Sequence, residues 1–115
     1  MRIAVASKSG RDVDQHFGHA ERFLVYEVDE ELAELVDEVR VEKYCSFDPD
    51  HALRKPQFKA IVEALVDCRV VVTARIGEYP QHELEKAGLK HFASGGEIEA
   101  AVRSAHDSLN AASGA

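Results

Sequence analysis

Three consecutive valines, Val70-Val71-Val72, form an unbroken β-branched run near the middle of this chain. Successive strand side chains point to opposite faces, so the run reads as a central strand buried on both. Arg2–Ala6 is a second short apolar run, closed by Ser9-Gly10, and predicts another buried strand. Residues 23–28 (FLVYEV) predict a further one. Phe58, Ile61, Val62 and Leu65 keep the i, i+3, i+4, i+7 spacing of a core-facing helix, with Pro56 suited to its first turn. Pro80 is expected to open a shorter helix that Gly88 closes. A brief strand follows at 90–92, and Ser94 and Glu97 have the spacing of a capping box. Ile98, Ala101, Val102, Ala105 and Leu109 then mark a last amphipathic helix. Strands and helices alternate in the second half, while the first half reads as a hairpin or meander. The expected class is α/β, a mixed sheet with helices packed on it.

One segment is ambiguous. Leu32, Leu35, Val36 and Val39 sit at helical spacing, yet Leu35, Asp37, Val39 and Val41 fit one strand face. Glu, Leu and Ala favour a helix at its start and Val39-Arg40-Val41 a strand at its end, so local pattern leaves both open. Residues 7–21 show no sustained period and read as a long loop, and a loop of that length in a compact domain marks function or disorder. Residues 44–55 read as a second polar loop.

At 115 residues the chain has room for one domain, expected over 1–110 with 111–115 as a frayed tail. The 45% apolar and 30% charged content fits a folded globular protein. With 14 Lys+Arg against 21 Asp+Glu the net charge is −7. That balance argues against a nucleic-acid clamp, which needs clustered cations, and against an anionic membrane surface. No run approaches the roughly 18 apolar residues of a membrane span. The apolar start is too short for a signal peptide, since Lys8, Arg11 and Asp12 follow at once. A cytoplasmic location is expected, where Cys45 and Cys68 make no disulfide framework.

The densest chemistry lies in Asp14-Gln15-His16-Phe17-Gly18-His19. Two histidines three apart in a glycine-bearing loop can reach one centre, and imidazole suits Zn, Fe, Ni or Cu; the same spacing also occurs in solvated loops. Cys45 stands beside Asp48, Asp50 and His51, where a thiolate selects soft metals and iron–sulfur clusters, or a half-buried cysteine simply packs. Cys68, between Val66 and Val70, reads as core. Arg75-Ile76-Gly77 is either a turn that receives an anion or an ordinary one with a solvated arginine. His51, His82, His91 and His106 are scattered and read as surface or packing residues. No phosphate-binding glycine loop, C-x-x-C or H-E-x-x-H occurs.

Taken in order, MRIAVAS (1–7), VDQHFGHA (13–20), RFLVYEV (22–28), Tyr44-Cys45 and ARIGEYPQHELEKAG (74–88) closely resemble the dinitrogenase iron–molybdenum cofactor-binding family. That family includes the NifX- and NafY-type carriers and the C-terminal domain of NifB-type proteins. The resemblance extends to about Leu109. It implies a ribonuclease-H-like three-layer α/β/α sandwich around a five-stranded mixed sheet. Residues 33–42 should then be the third strand, in the spatial order third, second, first, fourth, fifth. In that order the carboxyl ends of the first, third and fourth strands share one edge, where the His16, Cys45 and Arg75 loops emerge.

The resemblance implies a non-catalytic carrier of an iron–sulfur cluster, either the iron–molybdenum cofactor or its precursor, in nitrogenase or related metallocofactor assembly. His16 is the expected imidazole ligand, Cys45 the thiolate, and His19 a ligand or a donor that orients the first imidazole. Gly18 would allow close backbone approach and Arg75 would neutralise cluster charge. Assembly proteins or apo-nitrogenase are the implied partners, with the chain a monomer or weak homodimer. Some relatives carry a cysteine near the Gly77–Pro80 turn, where this chain has Glu78 and Tyr79, so the resemblance carries no third sulfur ligand over to that turn. The alternatives are a mononuclear metal-binding protein or a partner-binding regulator outside nitrogen fixation. A metal-dependent nuclease needs several carboxylates around Mg²⁺, and Asp14 is the one obvious acid in the first loop.

Overall fold

The apolar runs assemble into a sheet, and the segments of helical period cover it. The computed structural model describes residues 1–41 and 55–113. In chain order the elements are β1 (Arg2–Ala6), β2 (Asp12–Val13), a 3-10 turn (Phe17–His19), β3 (Arg22–Val28), β4 (Ala33–Arg40), α1 (Lys55–Ala64), β5 (Val70–Thr73), α2 (Glu78–Lys86), β6 (Lys90–Ala93), β7 (Gly96–Glu97) and α3 (Ile98–Ser113). The main sheet has five strands in the order β4-β3-β1-β5-β6. β3 is antiparallel to β1 and β4, whereas β5 is parallel to β1 and β6. β2 and β7 form a separate antiparallel ribbon. The strand order and the mixed directions are those the resemblance implied.

Strand alternation sorts the core into two layers. Ala4, Ala6, Phe23, Val25 and Val71 share a layer with Ile61 and Leu65 of the α1 segment and Leu84 of α2. Ile3, Val5, Leu24, Val70 and Val72 pack with Ile98, Ala101, Val102 and Ala105 of α3 on the other face. All three valines of β5 are buried, as a strand covered on both faces requires. Each large side chain buried in this way contributes about 1.5–3 kcal/mol.

The ambiguous segment is a strand. β4 pairs with β3 from Ala33↔Val28 to Arg22↔Arg40, with an irregularity between Val25 and Tyr26 that leaves Val36 without a partner residue. Pairing with β3 overrides the helical propensity of its start. As an edge strand it is mostly exposed, and the bulge and its charged side chains guard that edge.

Four local expectations differ. Residues 7–21 are not a structureless loop, since they contain β2 and the 3-10 turn. α2 begins at Glu78, two residues before Pro80, with Gly77 as its N-cap; the first-turn amides of a helix have no acceptor, so proline fits there too. Ser94 and Glu97 make no capping box: Glu97 lies in β7, and the Ile98 amide bonds to the Arg11 carbonyl. α3 runs on to Ser113, through the Ala111-Ala112 pair where a tail was expected; alanine is the strongest helix former. Gly88 closes α2 as expected, with φ +88° and the Leu89 amide bonded back to the Leu84 carbonyl at 2.9 Å. Among the described residues no helix is long and apolar enough to cross a membrane.

Candidate functional site

Because β1, β4 and β5 run the same way, their carboxyl ends share one edge of the sheet. The chain leaving β1 turns sharply at Gly10, whose φ of +81° suits glycine. The Ser7 hydroxyl donates to the Asp12 carbonyl at 2.7 Å and accepts the Gly10 amide at 2.9 Å. The Asp14 carboxylate accepts the amides of Lys8 at 2.7 Å and Ser9 at 3.2 Å. Partial burial works against the Asp14 charge, but these hydrogen bonds outweigh it and hold the carboxyl below its usual range. Asp14 therefore helps to fold the loop.

The loop then runs beside the end of β5. The Ala74 amide donates to the Gln15 carbonyl at 2.9 Å, and the Phe17 amide donates to the Arg75 carbonyl at 2.8 Å. These two bonds bracket His16, which pairs with Arg75 as a parallel bridge. The Arg75–Gly77 segment, expected as a turn, thus begins as an extension of β5. Phe17 is fully buried and meets the rings of Phe23 and Phe58 at 6.2 and 6.0 Å. It pins the 3-10 turn to the core and leaves the residues on either side outside.

His16 and His19 are both exposed. Their rings stack with centroids 5.5 Å apart and planes within 12°. Gly18, between them, is not among the glycines of positive φ, so backbone conformation alone does not call for glycine there. The Arg75 side chain is exposed, and among the described residues it has no carboxylate partner within ion-pair distance.

A cavity of about 350 Å³ opens beside His19, lined also by Ser7, Lys8, Gln15, Glu21, Arg22 and Arg40. Arg22 clamps this corner: its guanidinium donates to the carbonyls of Ser7 and Lys8 at 3.0 and 2.9 Å and to Glu38 at 3.2 Å. Arg40 lies 3.6 Å from the same carboxylate. A chain of net charge −7 therefore gathers Lys8, Arg22, Arg40 and Arg75 along the edge that carries the two imidazoles. Lys8, Arg22 and Arg40 were not singled out from the sequence; the strand order, which brings the ends of β1 and β4 and the start of β3 together, is the signal that finds them.

Cys45, the expected thiolate, lies outside the described residues, as do Asp48, Asp50 and His51. Val41, the last described residue before them, is tied by its amide to the Glu21 carbonyl at this same edge. Cys68 lies away from the site, just before the amino end of β5, in the core layer of α1. Burial pushes its thiol up to about 11. Among the described residues no three His, Cys, Asp or Glu side chains are grouped to hold a metal ion. The described rim offers two imidazoles and several cations.

Comparison with known proteins agrees with this architecture. The solved structure of PH0822 superposes with a TM-score of 0.64 at 19% identity, covering 90% of this chain and 86% of that one. A protein of Methanocaldococcus jannaschii assigned as a dinitrogenase superposes with a TM-score of 0.58 at 14% identity, over 90% and 85% of the two chains. At these identities the likeness speaks for the fold alone. The FeMo cofactor biosynthesis protein NifB of Klebsiella pneumoniae is 40% identical over 98 residues, 81% of this chain and 20% of the relative. NifB of Sinorhizobium fredii is 36% identical over 110 residues, 92% of this chain and 21% of the relative. The chain spans about a fifth of the length of these curated relatives. The family profile described as dinitrogenase iron-molybdenum cofactor matches residues 1–108, and the chain belongs to that family.

Proposed function

We propose that this protein is a non-catalytic carrier that receives an iron–sulfur cofactor, the iron–molybdenum cofactor or its precursor, and passes it on during metallocofactor assembly. The observation that carries the reading is the stacked, exposed His16–His19 pair, bracketed by backbone bonds to β5 and flanked by the exposed Arg75. Rigid anchoring on the core side and exposure on the other suit a cargo that must be both held and released. Imidazole from His16 and His19 and thiolate from Cys45 would bind iron. Arg75 and the cations lining the neighbouring cavity would offset the charge of the cluster. Gly18 would let the cluster approach the backbone closely. The helices on both faces of the sheet agree with a ribonuclease-H-like sandwich. Cytoplasmic assembly proteins or apo-nitrogenase would be donor and acceptor, and the chain would act as a monomer or weak homodimer.

Anaerobic titration with isolated iron–molybdenum cofactor, followed by visible absorption and gel filtration, tests this. The carrier reading predicts a comigrating chromophore that is lost in His16→Ala and Cys45→Ala variants that remain folded. The same imidazole pair also suits a single metal ion, and stoichiometric Zn²⁺ or Ni²⁺ uptake with no cluster binding would favour that second reading.

A further inference from the structure

We infer that His91, on β6 and away from the rim, is a positioning residue that fixes the His16 segment through Thr73 and the Arg75 carbonyl. The Thr73 hydroxyl lies 2.9 Å from the Arg75 carbonyl oxygen and 2.7 Å from Nε2 of His91. A hydroxyl carries one proton. Thr73 is fully buried, and its proton goes to the Arg75 carbonyl, which has none to give. Nε2 of His91 must therefore carry a proton and donate it to Thr73. The Arg75 carbonyl also accepts the Phe17 amide at 2.8 Å. The result is one continuous chain: His91 Nε2–H to Thr73 Oγ1, Thr73 Oγ1–H to Arg75 O, and Phe17 N–H to the same oxygen.

Three features make this more than local satisfaction of polar groups. Phe17 is the residue after His16, so the chain ends on the peptide that sets the direction of the His16 imidazole. Both lone-pair directions of the Arg75 carbonyl are engaged, so the oxygen has little freedom to rotate away. His91 is itself held, since β6 pairs in parallel with β5 with Val71↔His91 in register. Burial also lowers the His91 pKa against the opposing pull of Glu85 on α2, which favours the neutral ring, and the hydrogen bond to Thr73 then selects its Nε2–H tautomer.

The test uses the full chain and two pairs of substitutions. His91→Phe and Thr73→Val break the chain with little change of shape, whereas His91→Gln and Thr73→Ser each retain a donor at the required place. Amide exchange at Phe17 is compared with that at Val5 in the central strand, which reports global opening. Loss of one hydrogen bond predicts roughly three- to tenfold faster exchange at Phe17 in His91→Phe and Thr73→Val, beyond any change at Val5. His91→Gln and Thr73→Ser should restore the parental rate. The consequence for cargo rests on the carrier reading: the first pair should weaken binding of isolated iron–molybdenum cofactor severalfold and the second should not. Unchanged Phe17 exchange in His91→Phe, or equal acceleration in His91→Gln, would overturn the inference. So would loosened Phe17 with parental cofactor binding in a protein whose His16→Ala variant has lost it. Should the parent bind no cofactor, the carrier reading fails, and the exchange arm alone still decides whether His91 positions the segment.

Discussion

Phe17 joins the core to the site, and shortening it should be costly in a predictable way. Its ring is fully buried and lies 6.2 Å from Phe23 and 6.0 Å from Phe58, tilted by 49° and 56°. Aromatic pairs at such spacings add about 0.5–1.5 kcal/mol each beyond the burial of area. Phe17→Leu keeps most of the apolar volume and loses both pairs, a destabilisation of about 1.5 kcal/mol. With a urea m-value of about 1.5 kcal/mol per M, the midpoint falls by about 1 M at unchanged slope. Phe17→Ala also leaves a cavity and should remove about 3–5 kcal/mol, a large share of the stability of an ordinary domain. The leucine variant should stay folded yet hold the His16 and His19 rings less firmly, visible as greater solvent exchange at the His19 amide. A parental urea midpoint for Phe17→Leu, together with a loss below about 1 kcal/mol for Phe17→Ala, would refute the view that Phe17 anchors the turn.

Gly10 has φ +81°, so Gly10→Ala should cost about 1 kcal/mol through backbone strain, measured as a lower urea midpoint; its Cβ would meet only Arg22 at 3.7 Å, an ordinary contact. The Cys68 thiol, pushed up to about 11 by burial, should resist a thiol-specific disulfide reagent at pH 7.5 in a Cys45→Ser background until the protein is unfolded; rapid labelling of the native protein would contradict its place in the core. His91 titrates below its ordinary value of 6.5 in the folded chain because burial disfavours its charge. As the pH falls through 6.5 the unfolded chain takes up this proton first, so stability should decline until the folded pKa is reached and be level above about pH 7.5. Urea midpoints at pH 7.5 and 5.5 should show a smaller drop for His91→Gln than for the parent.

Much of the frame was legible in the sequence because burial on two faces leaves a plain mark. Val70-Val71-Val72 and the apolar run of β1 admit no edge position, and Phe58, Ile61, Val62 and Leu65 can face a core only as a helix. Residues 33–40 were not decidable locally, because an exposed edge strand with a bulge carries no clean period of two. The 7–21 segment hid its order for another reason. Its wiring is side chain to backbone, through Ser7, Ser9 and Asp14, and has no periodicity at all.

The same split holds for the site. His16 and His19 drew notice as residue types, and the strand order places them at the edge expected for ligand binding. The bonds that bracket His16, Ala74 amide to Gln15 carbonyl and Phe17 amide to Arg75 carbonyl, span about sixty residues of sequence, which no local spacing encodes. Arg22 reads from sequence as the polar start of a strand; only the neighbouring ends of β1 and β4 give its guanidinium three acceptors. Thr73 and His91 were likewise silent, one as the last residue of a valine run, the other as one scattered histidine among several.

Binding of isolated iron–molybdenum cofactor to the parent and to a His16→Ala/His19→Ala double variant, under anaerobic conditions and followed by visible absorption, tests the central claim most directly. Both side chains are exposed, so the double variant should match the parent in urea midpoint within about 0.5 kcal/mol. The carrier account predicts stoichiometric uptake by the parent and at least tenfold weaker binding by the double variant. Equal binding by the two proteins would contradict it.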